Sequence, residues 1–239
     1  MKKNSLLIIF LLSSLFSIEP ISLIVKKRGN IKFKSSEKSL IFLNVKMNKA
    51  LFSGNIIKTN NNSFTKIKYL DGLATILSFS KTEFSIEGMF DQKINKKINL
   101  INGILKIDIK NDDDGEFRLL TPFSELSCSN CSFWIISELE KGDSFYNISG
   151  DVIVKNLINL DELNVIQDST LFSSNTMGLE YSITKIEEKK YLESLLINFD
   201  EFSREKNSYL DSLLSRNILE IRLKNAQNIE KIFYLNYTE

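Results

Sequence analysis

The stretch KIKYLDGLATILSF, residues 66–79, sets Asp71-Gly72 between two runs that alternate at a period of two. That arrangement restricts the local fold to an antiparallel hairpin. A two-residue type I′ turn needs φ > 0 at both central residues, which Asp-Gly tolerates. Counting outward pairs Tyr69 with Ala74, Ile67 with Ile76 and Thr65 with Ser78 on one face. Leu70 with Leu73, Lys68 with Thr75 and Lys66 with Leu77 take the other. One face is largely apolar and the other mixes lysine with leucine, as in a half-buried sheet.

The same punctuation recurs from Leu23 to Leu171. ILKIDIK sets Leu105, Ile107 and Ile109 on one face, and EFRLLTP sets Phe117, Leu119 and Thr121 together. NDDDG between them reads as a hairpin turn. Pro122 removes a backbone donor and holds Thr121 extended, so that strand ends there. SFWII, GDVIVKN and ELNVI supply later strands. The density of turn signals predicts a mainly β module of short strands, a sandwich, barrel or solenoid. After Gly178 no glycine or proline occurs. Thr184-x-x-Glu187 fits a capping box, and Leu192, Leu195, Phe199 and Phe202 recur at spacings of three and four. Tyr209, Leu213 and Leu214 resume the stripe. This spacing predicts a helical tail over 183–236, one long helix or a helical hairpin, able to form a coiled coil and to self-associate.

Lys2 and Lys3 precede an apolar run, Leu6 to Ile18, that Glu19 and Pro20 stop. The run is too short for a stable membrane span and reads as a secretory leader over 1–18, cleaved or retained. Either way the remainder is expected outside the cytoplasm, in a bacterial periplasm. The charge balance is +1, from 31 basic and 30 acidic residues, so no global field draws nucleic acid, and none is expected as a partner. The abundant Asn and Lys read as compositional bias, and isolated ones are given no weight.

The chain contains no histidine, which removes Ser–His and Cys–His nucleophile pairs. No stretch places two carboxylates in a shielded setting, and no cofactor motif is present. Cys128 and Cys131, the only cysteines, are expected to form a disulfide in an exported protein. Free thiols, a metal pair or a redox C-x-x-C are the alternatives, and the strand-like flanks and lack of further ligands count against the last two. KNDDDGEF places Asp112 and Asp114 in a calcium-loop register, but Lys110 and Thr121 then occupy positions that need carboxylates or their equivalents. An acidic turn fits better. Trp134 beside Phe133 reads as core rather than as a sugar-stacking platform.

Taken in order, these elements resemble the FecR-type periplasmic domain. That family's pattern runs G-D-x-I-x-T, D-G-S, a strand with a serine, T-P, G-T-x-F and G-x-V-x-V. Here Gly54 to Thr59 supply the first element, with Asn55 for Asp. Asp71-Gly72 supply the second, with Leu73 for Ser, and Thr82 stands at the serine. Thr121-Pro122, Phe133 and Gly150 to Val154 supply the rest, and the Gly-Thr step falls on Asn130-Cys131. The resemblance covers residues 22–172 and implies a twisted, solenoid-like β module whose glycines and Asp-Gly turn are architectural. In that family the module often follows an anti-sigma segment and a membrane helix and relays a signal from an outer-membrane receptor. Here it directly follows the leader, so sigma-factor regulation by this chain alone is not expected. The expected function is a non-enzymatic, cofactor-free binding or scaffold module engaging a periplasmic protein or cell-wall glycan. The alternative is a signalling component acting with a separate membrane partner. A hydrolase with unrecognised carboxylates is a third reading.

Overall fold

The computed structural model describes residues 19–91, 93–110, 117–182, 184–199, 218–224 and 230–236. The chain divides into two units, residues 1–184 and 185–239.

The first unit opens with β1 (Ser22–Arg28), β2 (Ile31–Lys34), β3 (Leu43–Asn44), β4 (Ala50–Leu51) and β5 (Asn55–Thr59). It continues with β6 (Phe64–Tyr69), β7 (Ala74–Ser78), β8 (Thr82–Asp91), β9 (Lys93–Ile109), β10 (Phe117–Leu120) and β11 (Ser124–Cys128). It ends with β12 (Cys131–Glu138), β13 (Gly142–Gly150), β14 (Ile153–Asn156), β15 (Glu162–Asn164), β16 (Thr170–Ser174) and β17 (Gly178–Ser182). Two sheets result. One has the spatial order β4-β1-β6-β7-β9-β12-β13-β16-β17. The other runs β3-β2-β5-β8-β9-β10-β11-β14-β15. Later hairpins add to alternate sheets, β12–β13 in the first, β14–β15 in the second and β16–β17 in the first. The fold is therefore the expected one, mainly β, sandwich-like and solenoid-like, followed by a helix.

The inward faces of the two sheets form one core. Ile67, Ile76, Ile107, Phe133, Ile135 and Phe145 come from one sheet, and Ile57, Phe84, Ile98, Phe117, Leu119 and Val154 from the other. Burying such a side chain contributes about 1.5–3 kcal/mol, so the period-two pattern carries most of the fold's stability. The alternation read from the sequence holds. Leu105, Ile107 and Ile109 are buried, while Lys106 and Asp108 between them are half-buried.

In the β6–β7 hairpin Thr65–Ser78, Lys66–Leu77, Ile67–Ile76 and Lys68–Thr75 pair in the expected register. The turn is not type I′. Gly72 has φ +75° but Asp71 does not have positive φ. The Gly72 N–H donates to Tyr69 O, and Asp71 Oδ1 accepts from Leu73 N at 2.9 Å. Asp71 thus closes the turn through its side chain.

A second difference concerns NDDDG. The turn itself lies outside the described residues, but its flanking strands are not hairpin partners. The second half of β9 pairs with β7 and β12 in one sheet. Arg118, Leu119 and Leu120 pair in parallel with Lys97, Ile98 and Asn99 in the other sheet. The reason is Gly103, at φ +111°, which lets β9 pass from one sheet to the other. A Cβ there would lie 2.5 Å from Thr82 Cα, so only glycine fits.

The chain crosses between the sheets at both ends of the strands. Before the parallel pair, the crossings at Gly29-Asn30, Asn60 to Ser63, Phe79 to Lys81 and Gly103 fall at one end, where these corners stack, while the crossing from β4 to β5 falls at the other. Asn60 N donates to Asn30 O at 3.1 Å, Lys81 N to Asn60 O at 3.4 Å, and Asn102 Nδ2 to Lys81 O at 3.1 Å. After it, the crossing into β12 lies at the opposite strand ends, because Cys131 pairs with Ile109 while Ser137 pairs with Gly103.

In the second unit residues 186–199 form helix α1. Leu192 and Phe199 are buried, and Leu195 and Leu196 are half-buried on the same stripe. The expected helical tail does not continue to 236. β18 (Ile218–Lys224) and β19 (Glu230–Asn236) form an antiparallel hairpin that pairs Leu219 with Leu235 and Ile221 with Phe233. ILEIRLK alternates at period two from Leu219, and EKIFYLN carries a short run of Ile, Phe, Tyr and Leu, both of which favour strands. Phe202, Tyr209, Leu210, Leu213 and Leu214, and the leader expected over 1–18, lie outside the described residues. The expected capping box is also not formed. Thr184 Oγ1 lies 2.9 Å from Thr170 Oγ1 and donates to Asp168 O at 3.3 Å. The module's last hairpin accordingly runs to Ser182, beyond the 172 boundary expected from the sequence. Among the described residues no helix is long and apolar enough to cross a membrane.

Candidate binding groove and polar hubs

The stacked corners frame a groove of about 550 Å³. Asn30, Asn60, Asn61 and Asn102 line it, together with Lys58, Lys81, Thr82 and Glu83. Lys58 Nζ and Glu83 Oε2 pair at 2.6 Å across β5 and β8. Asparagine amides carry both donors and acceptors, so this lining can bind neutral polar groups in either sense. The charged groups present are a bridged pair and the exposed Lys81.

Thr59 forms the floor of the groove. It is buried, donates to Phe79 O, and accepts from Thr82 N at 3.0 Å. Thr82 Oγ1 in turn accepts from Ile104 N at 2.9 Å, just beyond the Gly103 bend. Thr121 plays the same part in the later hairpins. Its hydroxyl donates to Asp143 Oδ2 at 2.5 Å and accepts from Ser124 N at 2.8 Å and Phe123 N at 3.1 Å. The Ser124 hydroxyl donates to the same carboxylate oxygen at 2.7 Å, and Asn156 Nδ2 donates to Ser173 Oγ at 3.0 Å beside it. Asp143 is fully buried, and burial raises its carboxyl above the ordinary aspartate value, only partly offset by the hydroxyls of Thr121 and Ser124 that donate to it. Sequence reading does not single out Asp143, because a lone Asp in GDSFYN carries no motif.

The other positions named from the sequence are architectural. Gly54 has φ +84° in open space, and Gly150 has the same φ with Asn130 O where a Cβ would lie. Phe133 is in the core and Pro122 follows Thr121 in the β10–β11 turn. The Asp71-Gly72 turn has one chemical partner that sequence reading did not anticipate. Lys96 Nζ lies 2.8 Å from Asp71 Oδ2, an ion pair outside hydrogen-bond geometry, with the lysine side chain 3% exposed. Asp71 and Glu87 also add to the burial that pushes the Tyr69 phenol up. Cys128 and Cys131 form the expected disulfide at the β11–β12 crossing, and both are buried. Trp134 is 3% exposed and stacks on Phe79 with ring centroids 5.2 Å apart, so it offers no open platform. Among the described residues no group of His, Cys, Asp and Glu is arranged to hold a metal ion. Asp112 and Asp114 lie outside them.

No family model matches the chain, and no curated protein matches it. Two crystal structures, each of a Parabacteroides distasonis protein provisionally described as an anti-sigma factor, are similar. They have TM-scores of 0.49 and 0.47 at 14% and 13% identity. In each case the match covers 56% of this chain and 62% of the solved one.

Proposed function

We propose that this is an exported, non-enzymatic binding module of the FecR type, engaging a protein or cell-wall glycan of the periplasm through the corner groove. One observation carries the reading: four asparagines at three of the stacked corners line a single groove over the buried Thr59 hub. Such a lining suits the hydroxyls and amides of a glycan or an extended peptide, whose groups both donate and accept. The FecR-type assignment is supported by Thr59 and Thr121. Both occupy the pattern's threonine positions, and both act as buried hydrogen-bond hubs where a strand ends.

A photo-crosslinking residue at the exposed Asn61 tests the reading in intact cells. The expected result is a discrete adduct, to one protein or to muropeptides, that disappears when Asn60 and Asn102 are both replaced by alanine. An adduct pattern no different from that of a probe at Ser53, outside the groove, would count against it.

A further inference from the structure

The net charge is nearly zero, but its distribution is not. Between Lys26 and Lys49 there are eight basic residues against one acidic residue, Glu37. The loop from β2 to β3 lies within this stretch, and Leu40, Ile41 and Leu43 are 97%, 68% and 55% exposed. Phe42 between them is held. Lys34 Nζ lies 5.0 Å and Lys58 Nζ 5.7 Å from its ring centroid. The base is tied down further by Lys49 Nζ, 4.6 Å from the Phe33 ring, and by Lys27 Nζ donating to Val45 O at 2.6 Å. One aromatic therefore anchors the loop, and its three aliphatic neighbours project outward beside the exposed Lys38 and Lys46.

We propose that this loop is a peripheral docking element for an anionic phospholipid surface. Leu40 and Ile41 on the loop and Leu43 at the start of β3 expose three long aliphatic side chains beside lysines, which suits the acyl boundary of an anionic bilayer. Lysines around such a patch lie along its apolar surface and put their ammonium groups among anionic headgroups. The contact needs no spanning helix. Lys58 both lines the corner groove and faces Phe42, but none of the residues substituted below lines the groove, so the test is independent of the proposed function.

The test uses the full chain with phosphatidylglycerol-containing vesicles and with pure phosphatidylcholine vesicles. Flotation should favour the anionic vesicles and weaken with salt. It should fall at least about tenfold in Leu40→Ser/Ile41→Ser/Leu43→Ser and in Lys38→Glu/Lys46→Glu. Every variant retains residues 1–18, so any lipid affinity of that segment is common to all. As a second readout, an environment-sensitive dye on Ser39→Cys should shift to the blue on anionic vesicles. Vesicle-bound protein with no dye shift, or a serine variant that floats as well as the parent, overturns the proposal. Capture by an acidic protein without vesicle binding also overturns it and makes the patch a protein interface.

Discussion

At the scale of the residue, Asp143 shows how a buried polar group is tolerated and what it costs. Two hydroxyls donate to one of its oxygens, yet Oδ1 and the facing Ser137 Oγ lack hydrogen-bond partners. Its pKa is raised by burial, so the folded state binds the proton more tightly than the unfolded state. Stability must then fall as pH rises from the ordinary aspartate value, about 3.9, through the raised one, and stay lower above it. Asp143→Asn keeps an acceptor for Thr121 and Ser124 and offers an N–H to Ser137. It should be at least as stable as the parent at pH 7, with its advantage shrinking toward pH 4 in denaturant titrations. Asp143→Ala should lose about 2 kcal/mol by orphaning the hydroxyls. A parent-to-Asn difference that is flat with pH would refute the linkage. The asparagines of the groove teach a complementary lesson. Asn30, Asn60 and Asn102 are indistinguishable from compositional bias in a sequence this rich in asparagine, because what makes them a set is the stacking of corners, not their spacing.

At the scale of the element, most strands were legible because burial on one face imposes a period of two, and a one-residue slip would expose the whole set. The β6–β7 register was readable for that reason, and the disulfide because two cysteines three apart leave few choices. The sheet assignment of β9 and β10 was not, since it depends on a bend at one glycine. That bend is testable. Gly103→Ala should cost at least about 3 kcal/mol, combining positive-φ strain with collision against Thr82. Gly54→Ala, with comparable φ but open space around it, should cost only about 1 kcal/mol. Equal losses in urea titrations would mean that the close approach to Thr82 is not what selects glycine. At the β11–β12 crossing the Cys128–Cys131 ring is very short, so the chain-entropy model gives it about 2 kcal/mol or less. Reduction should lower stability by no more than that, and a larger loss would show that the crossing depends on the bond for its packing.

At the scale of the whole molecule, each hairpin supplies the edge on which a later hairpin of the same sheet is laid, so stability accumulates along the chain. The change from strands to helix was visible in the sequence as a change of period, whereas the return to strands at β18 is marked only by the short alternation of ILEIRLK, which the helix-permissive stretch around it obscures. The absence of glycine and proline after Gly178 reads as helix-permissive, although strands need neither residue. The same logic locates the boundary between the two units. A cut near Thr176, where alternation weakens in the sequence, would remove β17 and leave β16 as an open edge, with Leu171 losing its partner Tyr181. A cut after Thr184 preserves the β16–β17 ladder and the Thr184 contacts to Thr170 and Asp168. The chain ending at Thr184 should therefore stay monomeric, unfold cooperatively and retain its β signal in circular dichroism, losing mainly helical signal. The chain ending at Thr176 should be less stable and aggregate, because an exposed apolar edge strand templates pairing with other chains. If the Thr184 truncation also unfolds or precipitates, residues 185–239 are required for the stability of the β unit, and the two units are not separable.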